Sequence, residues 1–138
     1  SKARPDRTHA KSGSIWEDVA GFSRAVRVGN RIVISGTTAT HSDASCVAPG
    51  DAGPQAQYIF DKIIGAISTL GGAREDVVRT RIYLTDTSQW EAVSDAHRRT
   101  FGQMAPANTL IGISSLVGDG YVVEVEAEAE VFEEPDDG

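Results

Sequence analysis

The segment from Tyr121 to Phe132 constrains the fold of this chain more than any other part of the sequence. Valine or alanine occupies every odd position from 123 to 131, and glutamate occupies positions 124, 126, 128 and 130. Because successive side chains of a strand point to opposite faces, this alternation predicts a β-strand with one apolar face and one glutamate face. The chain must therefore build a sheet that is covered on at least one face.

The glutamate face admits two interpretations. Its carboxylates lie roughly 7 Å apart along the strand, where their repulsion is small in water and several-fold larger if the face is covered. The face is either solvated or balanced by arginines from neighbouring strands or subunits. The arginines whose spacing suits such pairing are Arg79 and Arg81, and less regularly Arg24 and Arg27. A planar guanidinium pairs well with carboxylates at interfaces, so both interpretations stay open.

The first half of the chain reads as a hairpin followed by a long loop and a helix. Two β-rich runs, 22–28 and 31–35, flank Gly29-Asn30, a dipeptide that tolerates the positive φ of a tight turn. Residues 37–53 show no periodicity and predict a loop. Apolar residues then recur at helical spacing from Pro54 to Leu70, before Gly71-Gly72 ends the helix.

The second half adds a strand, a helix and two more strands. Residues 77–84 alternate in polarity, Asp86 and Gln89 form a plausible capping box for a second helix, and strands are expected at about 108–114 and 121–132. The order β-β-α-β-α-β-β predicts an α+β fold with two helices on one face of a mixed sheet. We expect a disordered polar segment over residues 1–14 and one domain over 15–138.

Composition narrows the class of partner. The formal net charge of −7 argues against nucleic acid, because phosphate binding needs a basic surface. No apolar run approaches the roughly 18 residues of a membrane helix, and no membrane partner is expected. The single cysteine, Cys46, excludes an intrachain disulfide and fits a reducing cytoplasm, where we place the protein.

The sequence predicts neither a metal site nor a cofactor. The three histidines do not stand at a ligand spacing with a carboxylate, and no glycine-rich phosphate motif is present. His41 lies in the long loop, either at the mouth of a cleft or in solvent. His97 falls on the apolar stripe of the second helix, and Cys46 has no basic neighbour that would favour its thiolate.

Five short motifs, in this order, resemble the Rid family, also called YjgF or RidA. They are 21–30 (GFSRAVRVGN), 34–37 (ISGT), 77–86 (VVRTRIYLTD), 106–109 (PANT) and 123–127 (VEVEA). The resemblance spans residues 16–132 and implies a chorismate-mutase-like homotrimer with small-molecule clefts between subunits. It also implies hydrolysis of enamines or imines, and burial of the glutamate face between subunits.

The resemblance also assigns roles to seven residues by position. Glu124 matches a glutamate associated with the attacking water, and is therefore the expected catalytic residue. The residues that match substrate-binding positions are Ser35, Gly36, Phe22, Ser94, Asn108 and Leu110. Phe22 stands in place of a tyrosine, Ser94 of an asparagine and Leu110 of a cysteine. Asn108 replaces the arginine that grips a substrate carboxylate, so the pocket is expected to suit a neutral or amide-like ligand.

Three functions follow as hypotheses. The first is a hydrolase acting on an enamine or imine, with the family's usual 2-aminoacrylate activity in question because of Asn108. The second is a protein that binds a small metabolite without catalysis. The third is a ribonuclease or translation inhibitor, which the acidic composition disfavours. Two residues keep a structural alternative: Glu124 as one of several ion-pairing glutamates, and Asn108 as a strand-entry residue that bonds its own backbone.

Overall fold

One mixed six-stranded sheet forms the framework of the molecule. The computed structural model describes residues 6–132. The strands lie in the order β1-β2-β3-β6-β4-β5, with β4 and β5 parallel and every other neighbouring pair antiparallel. Their bounds are β1 Arg7–Ala10, β2 Ala25–Val28, β3 Arg31–Thr38, β4 Val77–Leu84, β5 Ala107–Gly112 and β6 Val123–Glu130.

Three helices complete the fold. They are α1 Ile15–Ala20, α2 Ala52–Thr69 and α3 Trp90–Phe101, with 3-10 turns at Arg74–Asp76 and Thr87–Gln89. Helix α3 connects β4 to β5, which explains why these two strands run parallel. The predicted α+β class and the order β-β-α-β-α-β-β are confirmed, with β1 and α1 added before them. No helix within residues 6–132 is long and apolar enough to cross a membrane.

The core lies between the sheet and the pair α2 and α3. The apolar positions of α2 that recur at helical spacing pack on β3 and β6, and α2 also packs against α3. Among the side chains that are fully buried there are Ile34, Phe60, Ile63, Ile82 and Phe101. Each such side chain contributes about 1.5–3 kcal/mol through the removal of apolar surface from water. This burial fixes which face of the sheet the helices cover.

The structure differs from the expected disordered start over Arg7–Ala10. These four residues form β1, which pairs antiparallel with β2 at one edge of the sheet. Two further contacts hold the segment: His9 Nδ1 lies 2.9 Å from Ser23 Oγ, and Lys11 Nζ donates to the carbonyl of Phe22 at 2.9 Å. A polar tetrapeptide carries no strand periodicity, so its conformation depends on a partner strand that local sequence does not reveal.

Strand β6 has the two faces that its alternation predicts. Val123, Val125, Ala127 and Ala129 are buried against the helices, whereas the glutamates are partly or fully exposed. Two of these glutamates form ion pairs on the exposed face, where Arg81 Nη1 lies 3.6 Å from Glu126 Oε1 and Arg31 Nη2 lies 3.2 Å from Glu128 Oε2. Because they are exposed in this single chain, such pairs contribute about 0–1 kcal/mol each.

The four arginines expected to balance the glutamates therefore have different partners. Arg81 pairs with Glu126, and Arg79 stands in register with Glu128, whose ion pair is with Arg31 instead. Arg27 donates to backbone carbonyls of Gly29 and Leu70. Arg24 is buried at the end of the sheet, where it belongs to the site described next.

Candidate functional site

A cavity of about 370 Å³ lies where β6 begins, and we call it the Glu124 pocket. It is formed by the start of α1, the segment between α1 and β2, the strands β3 and β6, the loop after β3, one residue of α2 and the loop before β6. The lining residues are Ser14, Trp16, Phe22, Arg24, Gly36, Thr38, Thr40, Lys62, Ser115, Leu116, Val117 and Glu124. Three of them carry a charge, and two of those are cations.

Glu124 occupies the second position of β6, across from Thr38 on β3 and Tyr83 on β4. Burial raises the pKa of its carboxyl above the usual glutamate range. The charge of Arg24 acts in the opposite direction, and that of Glu126 adds to the rise. A carboxylate with a raised pKa is a better proton acceptor, which is the property a general base for water requires.

Gly36 lets the Glu124 side chain lie against β3. The pairing of β3 with β6 shifts between Ile34 and Thr37, so the chain bulges at this point. A Cβ atom added to Gly36 would stand 3.1 Å from both Cδ and Oε1 of Glu124. A larger residue would therefore push on the carboxylate, and glycine keeps this wall of the pocket open.

Arg24 forms the opposite, cationic wall. Its side chain is only 7% exposed, and Nη1 donates to the carbonyl of Gly36 at 2.5 Å and to Thr37 Oγ1 at 2.9 Å. Its Cζ lies 5.4 Å from the centre of the Phe22 ring. The guanidinium is thus fixed in one orientation, and a cation–π contact joins it to the apolar wall.

The charge of Arg24 is balanced by Glu17 of α1, which is also buried. Arg24 Nε lies 3.6 Å from Glu17 Oε2 and, within residues 6–132, has no hydrogen-bond partner. Burial acts to raise the pKa of Glu17, but hydrogen bonds from the hydroxyl and backbone N–H of Ser12, with the charges of Arg24 and Lys11, lower it overall. These interactions favour the ionised form of Glu17, whose contact keeps Arg24 in place.

Lys62 brings a second cation into the pocket from α2. Its side chain lines the cavity, and burial lowers the pKa of its ammonium group, with the positive charge of Arg24 adding to the effect. A second cavity of about 630 Å³ shares Ser14, Trp16, Thr40 and Lys62 with the Glu124 pocket. Lys62 thus stands where the two cavities adjoin.

His41 lies at the wall of this larger cavity. The His41 ring forms part of its lining and meets the Tyr58 ring edge-on, with centroids 5.5 Å apart. The long loop that follows β3 therefore borders the site. Gln55, fully buried in α2, holds the loop in place, since its Nε2 donates to the carbonyls of Ala48 and Gly120 at 3.1 and 2.8 Å.

A separate cavity of about 250 Å³, the Asn108 pocket, lies between α3 and the start of β5. Its lining is Ile82, Ser94, His97, Arg98, Gly102, Ala105 and Asn108. Asn108 Nδ2 donates to Thr80 Oγ1 at 3.0 Å, and Thr80 Oγ1 lies 2.7 Å from His97 Nε2. Burial lowers the pKa of His97, which favours its neutral form. This pocket presents a chain of neutral, mutually satisfied polar groups.

The predicted site residues are thus divided. Phe22, Gly36 and Glu124 share the Glu124 pocket, whereas Asn108 and Ser94 share the Asn108 pocket. Ser35 and Leu110 line neither of them. The hydroxyl of Ser35 donates to the carbonyl of Ser23 at 2.6 Å, and Leu110 packs against the edge of the core.

Strand register explains why one chain keeps the two pockets apart. Asn108 is in register with Thr80, and Glu124 is in register with Tyr83. Thr80 and Tyr83 stand three residues apart on β4, so their side chains point to opposite faces of the sheet. Asn108 therefore lies on the helix side and Glu124 on the other side, and no side-chain movement within one chain joins them.

Sequence reasoning missed the roles of Arg24 and Lys62. The sequence predicts Arg24 as a partner for the glutamate strand. It does act on Glu124 electrostatically, but its close partner is Glu17. Lys62 stands on the polar side of a helix whose apolar stripe dominates the pattern. Only the packing of α2 on β3 and the cavity beside α1 reveal that Lys62 lines the site.

Comparisons with known proteins identify the family. Residues 14–131 match the family model described as Endoribonuclease L-PSP. The chain belongs to this family, which is also called the YjgF or Rid family. The resemblance drawn from the five motifs is thereby confirmed, and the family name alone does not assign an activity to any member.

Individual relatives agree with this assignment. An uncharacterized protein of Streptomyces coelicolor is 36% identical over 119 residues, covering 86% of this chain and 88% of that protein. A 2-iminobutanoate/2-iminopropanoate deaminase of Dermatophagoides farinae is 24% identical, covering 80% of this chain and 86% of that one. A Mycobacterium tuberculosis structure from the YjgF/YER057c/UK114 family superimposes with a TM-score of 0.83 at 37% identity, covering 91% of this chain and all of its own.

Within residues 6–132, no group of three or more His, Cys, Asp and Glu side chains could hold a metal ion. The Glu124 pocket itself presents one carboxylate, two cations and several hydroxyl groups.

Proposed function

We propose that this chain forms a homotrimer whose clefts between subunits hydrolyse an enamine or imine metabolite to a carbonyl compound and ammonia. The observation that carries the proposal is Glu124, a partly buried carboxylate with a raised pKa at the wall of an open pocket. A cytoplasmic location belongs to the same proposal.

The reaction needs a base and a water molecule. Glu124 takes a proton from the water as the water oxygen adds to the imine carbon, and it passes that proton to the imine nitrogen to give a carbinolamine. Glu124 then takes the proton of the carbinolamine hydroxyl and passes it to the amino group. The C–N bond breaks, the nitrogen leaves as ammonia, and the oxygen becomes the carbonyl of the product. An enamine enters the same sequence after protonation at carbon. One water is consumed for each ammonia released.

The shape of the single chain supports a site shared between subunits. The Glu124 pocket is open, and the residues that the resemblance places in the same cleft lie on the other face of the sheet. The face away from the helices also carries Val33 and Ile111, which are 44% and 46% exposed, beside the ion pairs of β6. A second subunit that covers this face would remove these apolar side chains from water, which favours association.

The relative from Dermatophagoides farinae, named as a 2-iminobutanoate/2-iminopropanoate deaminase, supports imine hydrolysis as the reaction class. Asn108 limits how far this extends to the substrate. An amide forms weaker hydrogen bonds to a carboxylate than a bidentate arginine does, and the amide nitrogen of Asn108 already donates to Thr80. That relative therefore supports the reaction class but does not identify the substrate of this chain.

A non-catalytic protein that binds a small metabolite is the second proposal. The Asn108 pocket favours it, because Asn108, Thr80 and His97 satisfy one another and the one cation of the lining, Arg98, is paired with Asp95. Such a wall can hold a ligand without polarising it. A ribonuclease function remains the least favoured, since the net charge of −7 opposes contact with a polyanion.

The test is the clearance of 2-iminopropionate, generated in place from serine by a dehydratase. We expect the protein to accelerate clearance well above the spontaneous rate, and Glu124→Gln to remove the acceleration. Binding of a small ligand without any acceleration would favour the second proposal. Neither binding nor acceleration would contradict both.

A further inference from the structure

Lys62 has no partner within the part of the chain that the structure describes. Lys62 lines the Glu124 pocket and makes no hydrogen bond or close ion pair with any residue from 6 to 132. Burial lowers the pKa of its ammonium group, the positive charge of Arg24 adds to this effect, and the negative charge of Glu17 acts in the opposite direction. A partly buried ammonium beside a guanidinium is unfavourable unless something else compensates its charge.

Arg24 cannot move away to relieve this repulsion. Its Nη1 is bound to Gly36 and Thr37, and its Nε faces Glu17. Glu17 in turn is held by Ser12 and forms its ion pair with Arg24, although its charge also acts on Lys62. Arg24 is therefore fixed and paired, whereas Lys62 lines the same cavity without a close ion pair among residues 6–132.

The carboxylate in the lining does not pair with Lys62. Glu124 lines the same pocket, but no ion pair joins it to Lys62 among residues 6–132. Because Glu17 balances Arg24, Lys62 is the cation of the lining whose charge is not paired within that range. A partly desolvated ammonium at the wall of a concave pocket favours a small anion.

We propose that Lys62, supported by Arg24, binds the carboxylate of the ligand in the Glu124 pocket and so supplies the cation that Asn108 does not. The ligand class is a short 2-imino or 2-oxo acid. Its carboxylate meets Lys62, its short side chain meets the Phe22 ring, and its reacting carbon lies toward Glu124. This choice of ligand rests on the proposed function, but the recognition of an anion does not.

The test compares two ligands that differ in one charge. Binding of pyruvate and of its uncharged amide, pyruvamide, is measured by titration calorimetry on the wild type and on Lys62→Gln and Lys62→Arg. Arg99→Gln is the matched control, since it removes one positive charge from an exposed position of α3 outside the pocket. Thermal unfolding of every variant shows that each is folded.

We expect the wild type to bind pyruvate at least about tenfold more tightly than pyruvamide, the change that one charge-assisted hydrogen bond gives. Lys62→Gln should lose most of this preference, and both Lys62→Arg and Arg99→Gln should keep it. Equal binding of the two ligands, no binding of pyruvate, or an unchanged preference in Lys62→Gln would overturn the inference. Because binding is measured without turnover, charge-selective binding with no imine hydrolysis would overturn only the catalytic proposal.

Discussion

The Glu124 pocket and the Asn108 pocket are made from the same sheet but differ in electrostatic character. In the first, a carboxylate with a raised pKa stands beside two cations, one of which is without a hydrogen-bond partner among residues 6–132. In the second, Asn108, Thr80 and His97 form a neutral chain of hydrogen bonds. The groups suited to acid–base chemistry thus lie in the Glu124 pocket, whereas the polar groups around Asn108 mainly bond one another.

The difference shows that the positive charge of a ligand site can come from another element of the fold than the one where it is expected. The residue expected to grip a carboxylate is a neutral asparagine on β5, while an unexpected lysine reaches the Glu124 pocket from α2. If the two pockets meet across a subunit interface, both residues face one cleft. Four predictions follow, ordered from the largest expected effect to the smallest.

Removing the base should have the largest effect. We expect Glu124→Gln to lower the rate of 2-iminopropionate clearance by about 10²–10⁴-fold, the range that a general base contributes, while the fold is retained. Glu130→Gln, on the exposed end of the same strand, is the control and should leave the rate unchanged. Equal rates for wild type and Glu124→Gln would show that the carboxylate is structural.

Breaking the neutral chain should cost stability. Thr80 is fully buried, so Thr80→Val leaves Asn108 Nδ2 and His97 Nε2 without their partner. We expect a loss of about 1–3 kcal/mol in the free energy of unfolding, measured with urea. Thr109→Val, at an exposed position of β5, should change stability little. A Thr80→Val protein as stable as the wild type would mean that these hydrogen bonds contribute nothing.

A positive charge at position 108 should strengthen the binding of carboxylate ligands. We expect Asn108→Arg to increase the affinity for pyruvate by about tenfold, the gain from one charge-assisted hydrogen bond. Thr109→Arg places the same charge one residue on, and therefore on the opposite face of β5. If both variants bind pyruvate equally, Asn108 does not border the ligand site.

The pH dependence of stability should reveal Glu124. Its folded-state pKa is raised by burial, so between the unfolded value of about 4.3 and the raised value the folded state binds more protons. Stability then falls as pH rises through this window. Glu124→Gln cannot titrate, so its free energy of unfolding should gain on that of the wild type from low to neutral pH. A constant difference would contradict the raised pKa.

The sequence predicts the framework of the fold well because the framework follows from short-range patterns. The alternation of β6 and β4 and the helical spacing of α2 determine which faces are buried. β1 escapes prediction because it is polar and depends on pairing with β2. Its position is a property of the sheet and not of its own four residues.

The site is predicted less completely for a related reason. Phe22, Gly36 and Glu124 were expected together and do share a pocket. Arg24, Glu17 and Lys62 come from a strand entry and two helices, and their mutual effect depends on distances that sequence spacing does not encode. Charge networks of this kind are determined by packing, whereas the apolar stripes that produce the packing are visible in the sequence.

The central claim is that the two pockets are parts of one site that only an assembly of subunits completes. Light scattering on the purified protein at micromolar concentration tests it most directly. The account predicts the mass of three chains of 14.7 kDa each. A mass of one chain would contradict it, because the Glu124 and Asn108 pockets would then remain on opposite faces of a single sheet.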